Sequence, residues 1–489
     1  MLTKSWIIVM VAAMTLPARA QLRLPAVPLP TLPSQLSPLQ SGLQTLDQAD
    51  ARTLERLRGA RRLAISRLIR GNGRVVEADP DGEPTVRGEI LALSPSAAAL
   101  SQAVSSGFLV AREQTIAAVG LHLVVLVAPP GMSTQRALAE LRKSDANGLY
   151  DYNHIYTSAG VVAPDAAGSP SAPTPGSAAV RPAAPFTGFA AVPAAAPFTR
   201  LAAAPPAVPT AASAMPPAVP TTESAAAFTA SIAGPTGASA PQTAPSPAVE
   251  RAHVRVGLLD AGIDTSHPIF QGSTLHTWGC AGKPSPSPHG TAVASLLLSH
   301  ASAELYAADV YCGLPTGGAV DAIIAAFAWL VSEPVAVINV SLVGPKNAML
   351  EHTVAALVAH GYLIVAAVGN DGPTAPPLYP AAYPQVVGVT GVDASRRVLL
   401  EALRGPQVMF AAGGAGIKAA TVEHGFADVR GTSFAAPAVA ELLAEAVTAP
   451  DKPTADAAVD ALAKQAIDLG PPGRDFTYGF GLVGPTPAR

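Results

Sequence analysis

The middle of this chain most constrains what it can fold into. In residues 161–250, alanine and proline fill roughly half of the positions and charged side chains are sparse, so little is available to build a core. At 489 residues, the chain is also too long for one core. We therefore predict a disordered Ala/Pro-rich linker over residues 158–250, with a folded part on each side of it.

A short aromatic phrase recurs in this linker, as PFT at 185–187 and 197–199 and as AFT at 227–229. Each copy places a phenylalanine before a threonine. Repetition of this kind arises readily by drift in low-complexity sequence, and we favour that interpretation over a docking motif.

Composition and charge restrict the classes of partner that this chain can have. The formal net charge is −3, whereas nucleic-acid binders concentrate lysine and arginine on one face, so we expect no nucleic-acid partner. Hydrophobic residues make up 49% of the chain, but 49 prolines accompany them. That combination favours an unstructured tract between globular parts over a membrane protein.

The N-terminus has the pattern of a secretory signal peptide, which we predict over residues 1–20. Lys4 supplies a positive charge, residues 6–16 form a short apolar stretch, and residues 18–20 (ARA) precede a cleavage point at Gln21. An uncleaved anchor is the alternative, but a spanning helix needs about 20 apolar residues. We therefore expect an exported protein, periplasmic or secreted.

Residues 21–86 are interpreted as a leader with a basic helical segment. The basic stretch runs from residue 56 to residue 70. A solvated helix face is the simpler interpretation of such a charge run, and we prefer it to a membrane or anion-binding role.

Residues 87–157 have a compact pattern of their own. Strands are predicted at 88–94, 108–112, 121–128 and 149–156, and helices at 96–106 and 133–144. Ser133 stands where it can cap the second helix. The order β-α-β-β-α-β is that of a small α+β, ferredoxin-like domain.

In residues 252–489, apolar strands alternate with helical segments. Alternation of this kind predicts an α/β fold with a parallel sheet and helices on both faces. Three polar residues stand where this fold places chemistry. Asp260 ends a buried strand, His289 begins an apolar helix, and Ser433 lies at another helix start.

The segments around these residues resemble the subtilisin family (subtilases, peptidase family S8). The motifs are VGLLDAGID at 256–264, HGTAVAS at 289–295 and GTSFAAP at 431–437, in the family's order of Asp, His and Ser. A fourth motif, AAVGNDG at 366–372, matches where the family keeps its oxyanion-hole asparagine. The resemblance covers about the last 235 residues and implies a subtilisin-like fold and serine endopeptidase activity.

The resemblance assigns the catalytic roles. Ser433 is the nucleophile, His289 its base and Asp260 the group that orients His289. Asn370 and the Ser433 backbone N–H would donate hydrogen bonds to the oxyanion. A silent binding protein that kept the fold is the alternative function, but no member of the triad is missing. A processing enzyme with one partner is a second alternative.

The resemblance also implies the substrate-binding residues: Ser341, Leu342, Val343, Gly344, Ala367 and Gly369. Val343 stands where the family has glycine and Leu378 where it has a small residue, so we expect a pocket for small side chains before the scissile bond. The family's calcium-binding insertion is missing after His289. We therefore expect no metal and no cofactor.

Export changes how the cysteines are interpreted. Cys280 and Cys312 are the chain's two cysteines, and in an oxidising compartment they are the possible intramolecular pair. We predict a disulfide between them at the rim of the active site.

We expect the chain to be a monomer. Its expected partners are protein or peptide substrates. Subtilisin-like precursors carry a ferredoxin-like domain before the catalytic domain, so residues 87–157 are expected to serve as an intramolecular inhibitor and chaperone. The physical case is that their last strand can enter the cleft by edge pairing. An independent binding module is the alternative.

Overall fold

The computed structural model describes residues 59–162, 254–298 and 303–485. The predicted signal peptide, most of the leader and the linker after residue 162 lie outside these ranges. In the part of the chain that is described, no helix has the length and apolar character needed to cross a bilayer.

An antiparallel sheet forms the N-terminal part. Its elements are α1 (residues 59–71), β1 (Val76–Ala78), β2 (Pro84–Leu93), α2 (Ala97–Ser105), β3 (Leu109–Ile116), β4 (Leu121–Val127), α3 (Thr134–Ser144) and β5 (Leu149–Ser158). The strand order is β5-β2-β4-β3, and the short β1 pairs with the start of β2. This is the ferredoxin-like arrangement, so the predicted β-α-β-β-α-β order is confirmed.

Both faces of this sheet are buried. In β2, Ile90 and Ala92 belong to a small core with α2 and α3, whereas Leu91 and Leu93 belong to the large core of the C-terminal part. Successive side chains of a strand point to opposite faces, so one strand serves two cores. The N-terminal sheet is thus packed between its own helices and the C-terminal part.

The sheet extends beyond the boundaries of 87 and 157 that the sequence predicted. Strand β2 begins at Pro84, and proline is tolerated at the first position of a strand. Strand β5 continues to Ser158 because its last residues pair with strands of the C-terminal part. Ser158 ends β5, and residues 161–162 form another short strand, so the described part of the chain extends beyond residue 157 into the range predicted as linker.

A parallel sheet organises the C-terminal part, which confirms the predicted α/β fold. Its strands are β7 (Val254–Asp260), β8 (Thr274–Trp278), β9 (Ala303–Asp309), β11 (Val337–Val340), β13 (Leu363–Ala367), β14 (Val387–Val392) and β15 (Val408–Gly413). They lie in the order β15-β14-β13-β11-β7-β9-β8, and each is parallel to its neighbours. The helices are α4 (Pro288–Leu297), α5 (Val320–Leu330), α6 (Ala348–Ala359), α7 (Ala436–Ala446) and α8 (Lys452–Gln465).

Short strands lie beside this sheet. They are β6 (Val161–Val162), β10 (Gly318–Ala319), β12 (Leu342–Val343), β16 (Ala415–Ala420) and β17 (Phe426–Arg430). Strands β16 and β17 form a hairpin whose turn contains Glu423 and His424, both with left-handed backbone angles. That turn lacks the Asn-Gly signal that sequence analysis depends on, which explains why the hairpin was not predicted.

The N-terminal sheet contacts the first turns of α5 and α6. Asn153 accepts a hydrogen bond from the backbone N–H of Asp321 (3.2 Å) and donates one to its carboxylate (2.9 Å). Arg112 bonds the same carboxylate (2.9 Å). At α6, Asp151 accepts the backbone N–H of Ala348 (2.7 Å). Side chains of the N-terminal sheet thus satisfy amides at the starts of two helices.

Candidate active site

Asp260 and His289 meet at the C-terminal edge of the parallel sheet. Asp260 is the last residue of β7, and His289 follows Pro288 at the start of α4. Nδ1 of His289 lies 2.9 Å from Oδ1 of Asp260, which also accepts the backbone N–H of Ala261. A carboxylate can only accept, so Nδ1 carries the hydrogen and Nε2 is left as the basic nitrogen. Both side chains are buried.

Two glycines allow the loops of the site to approach each other. A Cβ on Gly290 would lie 2.2 Å from the carbonyl oxygen of Ala261, so a side chain there would push α4 away from β7. Gly431 has a φ of +143°, and a Cβ there would lie 2.8 Å from Cα of Gly160 and 3.0 Å from Nδ2 of Asn370. Glycine at both positions therefore keeps the base and the oxyanion donors in reach.

Ser433 lies in a tight turn, Thr432–Phe434, immediately before α7. The sequence predicted a helix from Ser433, but the α-helix begins at residue 436. Ser433 is fully buried, and its Oγ donates to the backbone oxygen of Ser341 at 3.1 Å. Among the described residues, Nε2 of His289 has no hydrogen-bond partner. Ser433 and His289, the expected nucleophile and base, therefore make no hydrogen bond with each other in this structure.

The expected oxyanion donors converge on one oxygen atom. Nδ2 of Asn370 and the backbone N–H of Ser433 (3.2 Å) both donate to the carbonyl oxygen of Ala159. Oδ1 of Asn370 accepts the backbone N–H of Thr432 at 3.1 Å, which fixes the amide's orientation. The carbonyl oxygen of the residue after β5 thus bonds both groups that the resemblance assigns to the oxyanion hole.

Residues 156–162, here called the cleft segment, run through the site as an extended chain. On one edge, Thr157 and Ser158 pair with β12, and the backbone N–H of Ala159 donates to Ser341 O at 3.3 Å. On the other edge, Tyr156 pairs with β10. Beyond Ala159, β6 pairs with β17. The chain is therefore held as an added strand on both sides of the Ala159–Gly160 bond.

The side chains of the cleft segment meet walls of different shape. Tyr156 is fully buried, and a Cβ on Gly344 would lie 2.6 Å from its ring. A Cβ on Gly160 would lie 2.6 Å from the ring of Phe434, so the structure leaves no room for a side chain there without movement of that ring. The small side chain of Ala159 is buried.

The predicted pocket residues divide between two places. Val343 pairs with Thr157, two residues before Ala159. Leu378 lies against Gly369, where a Cβ would come within 2.6 Å of Leu378 Cδ1. Ala367 ends β13. Leu378 thus fills space beside the loop at residues 368–372, here called the oxyanion loop, and Val343 pairs with the residue two positions before Ala159.

Ala159 and Gly160 were not predicted as part of the site, nor were the residues that hold them. Both fell inside the predicted linker, although they come within four residues of the last predicted strand. Ser158, Ala159 and Gly160 form a run of three small residues after that strand. This run, directly after an apolar strand, was the signal that could have identified a segment able to enter a cleft.

The sulfur atoms of Cys280 and Cys312 form a disulfide. Cys280 precedes the loop that leads to His289, and Cys312 follows β9. The backbone N–H groups of Tyr311 and Cys312 both donate to Oδ1 of Asp309, at 2.9 Å each. The disulfide and this carboxylate together fix the loop that leads to β10 at the edge of the cleft.

A charged contact adjoins the oxyanion loop. Arg61 of α1 lies 3.4 Å from the carboxylate of Asp371 and 3.0 Å from that of Glu83. Burial raises the pKa of Asp371, and the nearby guanidinium of Arg61 opposes that rise. Helix α1 therefore touches the residue after Asn370, which places part of the basic segment against the candidate site.

Comparisons with known proteins agree with this geometry. The family model described as the subtilase family (Peptidase_S8) matches residues 251–481. Subtilisin E of Bacillus subtilis is 30% identical over 248 residues, which cover 47% of this chain and 64% of that protein. The major intracellular serine protease of the same organism is 30% identical over 219 residues, 40% of this chain and 69% of the relative.

Other similar proteins are matched over smaller or larger fractions of their own length. The minor extracellular protease Epr of Bacillus subtilis is 31% identical over 156 residues, and only 24% of its length is spanned. A solved structure titled as a lanthipeptide protease is 26% identical, with a TM-score of 0.43, over 48% of this chain and 88% of that one. The chain thus spans between about a quarter and two thirds of several curated relatives.

Proposed function

This chain belongs to the subtilase family, and from that premise we propose that it is an exported serine endopeptidase made as a self-inhibited precursor. The observation that carries the proposal is the position of the Ala159 carbonyl oxygen. It accepts hydrogen bonds from Asn370 and from the backbone of Ser433 while the nucleophile lies beside it. Both groups that would stabilise an oxyanion therefore already bond one peptide carbonyl of this chain, which supports the proposal.

The reaction follows from the three buried groups. The hydroxyl of Ser433 must turn from Ser341 O towards Nε2 of His289, which then takes its proton as Oγ attacks the Ala159 carbonyl carbon. Asp260 holds the Nδ1–H and stabilises the imidazolium that forms. The two N–H donors stabilise the oxyanion. The proton passes to the nitrogen of Gly160 as that bond breaks, and water then hydrolyses the acyl-enzyme.

The first substrate in this proposal is the chain itself, cut between Ala159 and Gly160. The cleft segment is paired on its edges like a bound peptide, and a small residue and a glycine flank the bond. After the cut, the N-terminal sheet keeps its contacts to α5 and α6 and blocks the cleft as an inhibitor. Its contacts with those helices also suit a role as an intramolecular chaperone.

The substrates beyond the chain itself would be proteins or peptides with a small residue before the scissile bond. Leu378 and Gly369 fill the space beside the oxyanion loop, which supports that preference. Export is part of the proposal and rests on the signal-peptide pattern of residues 1–20.

Expression of the full chain tests the proposal. We expect the chain to divide after Ala159, so that N-terminal sequencing of the larger product begins at Gly160, and we expect a serine-directed fluorophosphonate to label that product. Ser433→Ala should remain whole and unlabelled, whereas the control Ser332→Ala, at an exposed loop serine, should behave as the unaltered chain. An unaltered chain that is neither cut nor labelled, or a Ser433→Ala chain that divides, contradicts the proposal.

A further inference from the structure

The pocket that holds the Tyr156 side chain is shaped for a flat ring. Tyr156 has no exposed surface, and a Cβ on Gly344 would come within 2.6–2.7 Å of three of its ring atoms. Gly344 is itself held by two backbone hydrogen bonds of 3.0 Å with Tyr379. One wall of the pocket is therefore bare backbone, and that backbone is fixed in position.

The closed end of this pocket is polar. Oη of Tyr156 donates to the backbone oxygen of Pro345 at 2.5 Å and interacts with the hydroxyl of Tyr383. The hydroxyl of Tyr383 donates to the backbone oxygen of Asn347 (2.9 Å) and accepts its N–H (3.1 Å). A backbone carbonyl thus accepts the hydrogen of the Tyr156 hydroxyl. The neighbouring hydroxyl of Tyr383 is held in position by its two hydrogen bonds with the backbone of Asn347.

We propose that this pocket selects tyrosine by its hydroxyl group. The preferred cleavage sequence then has tyrosine as the fourth residue before the scissile bond, a small residue directly before it and glycine directly after it. This inference rests on the proposed function and names the substrate class of the same cleft. Phenylalanine would fill the ring space but leave the half-buried Pro345 carbonyl without its donor, and sites built around a substrate hydroxyl discriminate against analogues that lack it.

The linker sequence is consistent with such a preference. Between residues 163 and 250 the chain has no tyrosine, and the aromatic residues there are phenylalanines. Phe228-Thr229-Ala230-Ser231 repeats the order aromatic, threonine, small, small of the sequence from Tyr156 to Ala159. This copy of the aromatic phrase thus keeps the threonine of the cleft sequence, has its alanine and serine in the opposite order, and lacks the hydroxyl at its first position.

Paired peptides test the inference on the self-cleaved enzyme. One carries the sequence of residues 155–162, and the other has phenylalanine at the position of Tyr156. We expect kcat/KM to be at least about tenfold lower for the phenylalanine peptide. Equal or faster cleavage of that peptide overturns the inference and leaves the proposed function intact. An enzyme that cuts neither peptide and is not labelled by a fluorophosphonate removes the proposed function itself.

A variant of the enzyme separates recognition from general damage. Tyr383→Phe should reduce the ratio of kcat/KM between the tyrosine and phenylalanine peptides, because the hydroxyl beside the substrate's own is lost. A purely structural role for Tyr383 would slow both peptides and leave the ratio unchanged, which would contradict its place in recognition.

The linker provides a test within the full chain. Ile232→Gly places glycine after Ser231 and keeps Phe228, and Phe228→Tyr added to it supplies the hydroxyl. We expect a product that begins at residue 232 to form at least about tenfold faster in the double variant. Equal rates in the two variants, or no such product in either, would overturn the inference.

Discussion

The two sides of the Ala159–Gly160 bond are held very differently. Before the bond, the cleft segment has strand partners on both edges and a buried aromatic side chain. After the bond, Val161 and Val162 pair with β17, and no other described strand pairs with them. Two-sided pairing with a buried ring binds more tightly than one short edge, so cleavage should release the new N-terminus and leave the N-terminal domain in place.

This asymmetry separates cleavage from activation. Breaking the bond frees residue 160 at once, whereas access for another substrate waits until Tyr156 leaves its pocket. The contacts of Asn153 and Asp151 with α5 and α6 should add to that delay, because they do not involve the residues on either side of the bond. The precursor should therefore pass through a cut but inactive state.

The largest effect is expected from removal of the base or the nucleophile. His289→Ala and Ser433→Ala should each slow cleavage by on the order of 10⁴-fold or more, since the two groups act as a unit. The bond then stays intact, so neither side of it is released. Mass analysis of the purified chains checks this. Division of either variant at the normal rate would show that another group performs the reaction.

Gly160→Val should act on the weakly held side alone. The ring of Phe434 must move to admit the new side chain, and overpacking of this kind costs about 1–3 kcal/mol, or roughly 5- to 150-fold in rate. Self-cleavage followed by gel densitometry measures the effect. If the variant divides as fast as the unaltered chain, Phe434 does not restrict that position.

Asn153→Ala should act on the tightly held side alone. Asn153 is fully buried, and its loss removes two hydrogen bonds to Asp321, whose carboxylate keeps its bond to Arg112, so release of the N-terminal domain should speed up roughly tenfold. The measured quantity is the lag between self-cleavage and activity on a peptide. Asn147→Ala, at an exposed position of the same domain, is the control. An unchanged lag would show that contacts other than those of Asn153 hold the N-terminal domain in place after cleavage.

High pH should weaken the same side by a smaller factor. Burial raises the pKa of Tyr156 well above its ordinary value of 10.0. The buried, protonated hydroxyl of Tyr156 therefore stabilises the docked N-terminal domain fully below pH 10. That stabilisation is lost as the pH rises towards the raised pKa of the docked Tyr156. The lag should therefore be constant from pH 8 to about pH 10 and shorten above it. A Tyr156→Phe chain that shows the same shortening would assign it to another group.

The smallest effect is expected from chelation. The sequence lacks the family's calcium-binding insertion, so EDTA should leave both the midpoint of thermal unfolding and the lag unchanged. Differential scanning calorimetry with and without the chelator checks this. A large fall in the midpoint would show that a metal stabilises the chain.

Apolar patterning was sufficient to predict the architecture. Long buried strands such as β7 and β4, and the capped helix α3, have a period that identifies them. Strand β8 could not be predicted in the same way, since it lies at the sheet edge and most of its residues are exposed. The hairpin of β16 and β17 was missed because its turn uses Glu423 and His424.

The site was predictable where it depends on single residues and not where it depends on pairing. Asp260, His289 and Ser433 stand out by their place in short motifs. The position of Ala159 in the cleft depends on contacts between residues almost three hundred apart in sequence, such as its bond to the Ser433 backbone. Composition alone assigned the residues around Ala159 to the linker.

Helix α5 begins at a residue that cannot cap it. Ala319 precedes the helix without a side-chain hydrogen bond, and Asn153 of the N-terminal domain supplies the missing acceptor to Asp321. When that domain departs, the helix loses a cap that is typically worth about 1 kcal/mol. The mature enzyme should then be less stable than the precursor from which it folded. Its working lifetime would be set by how slowly it unfolds and not by how readily it could fold again.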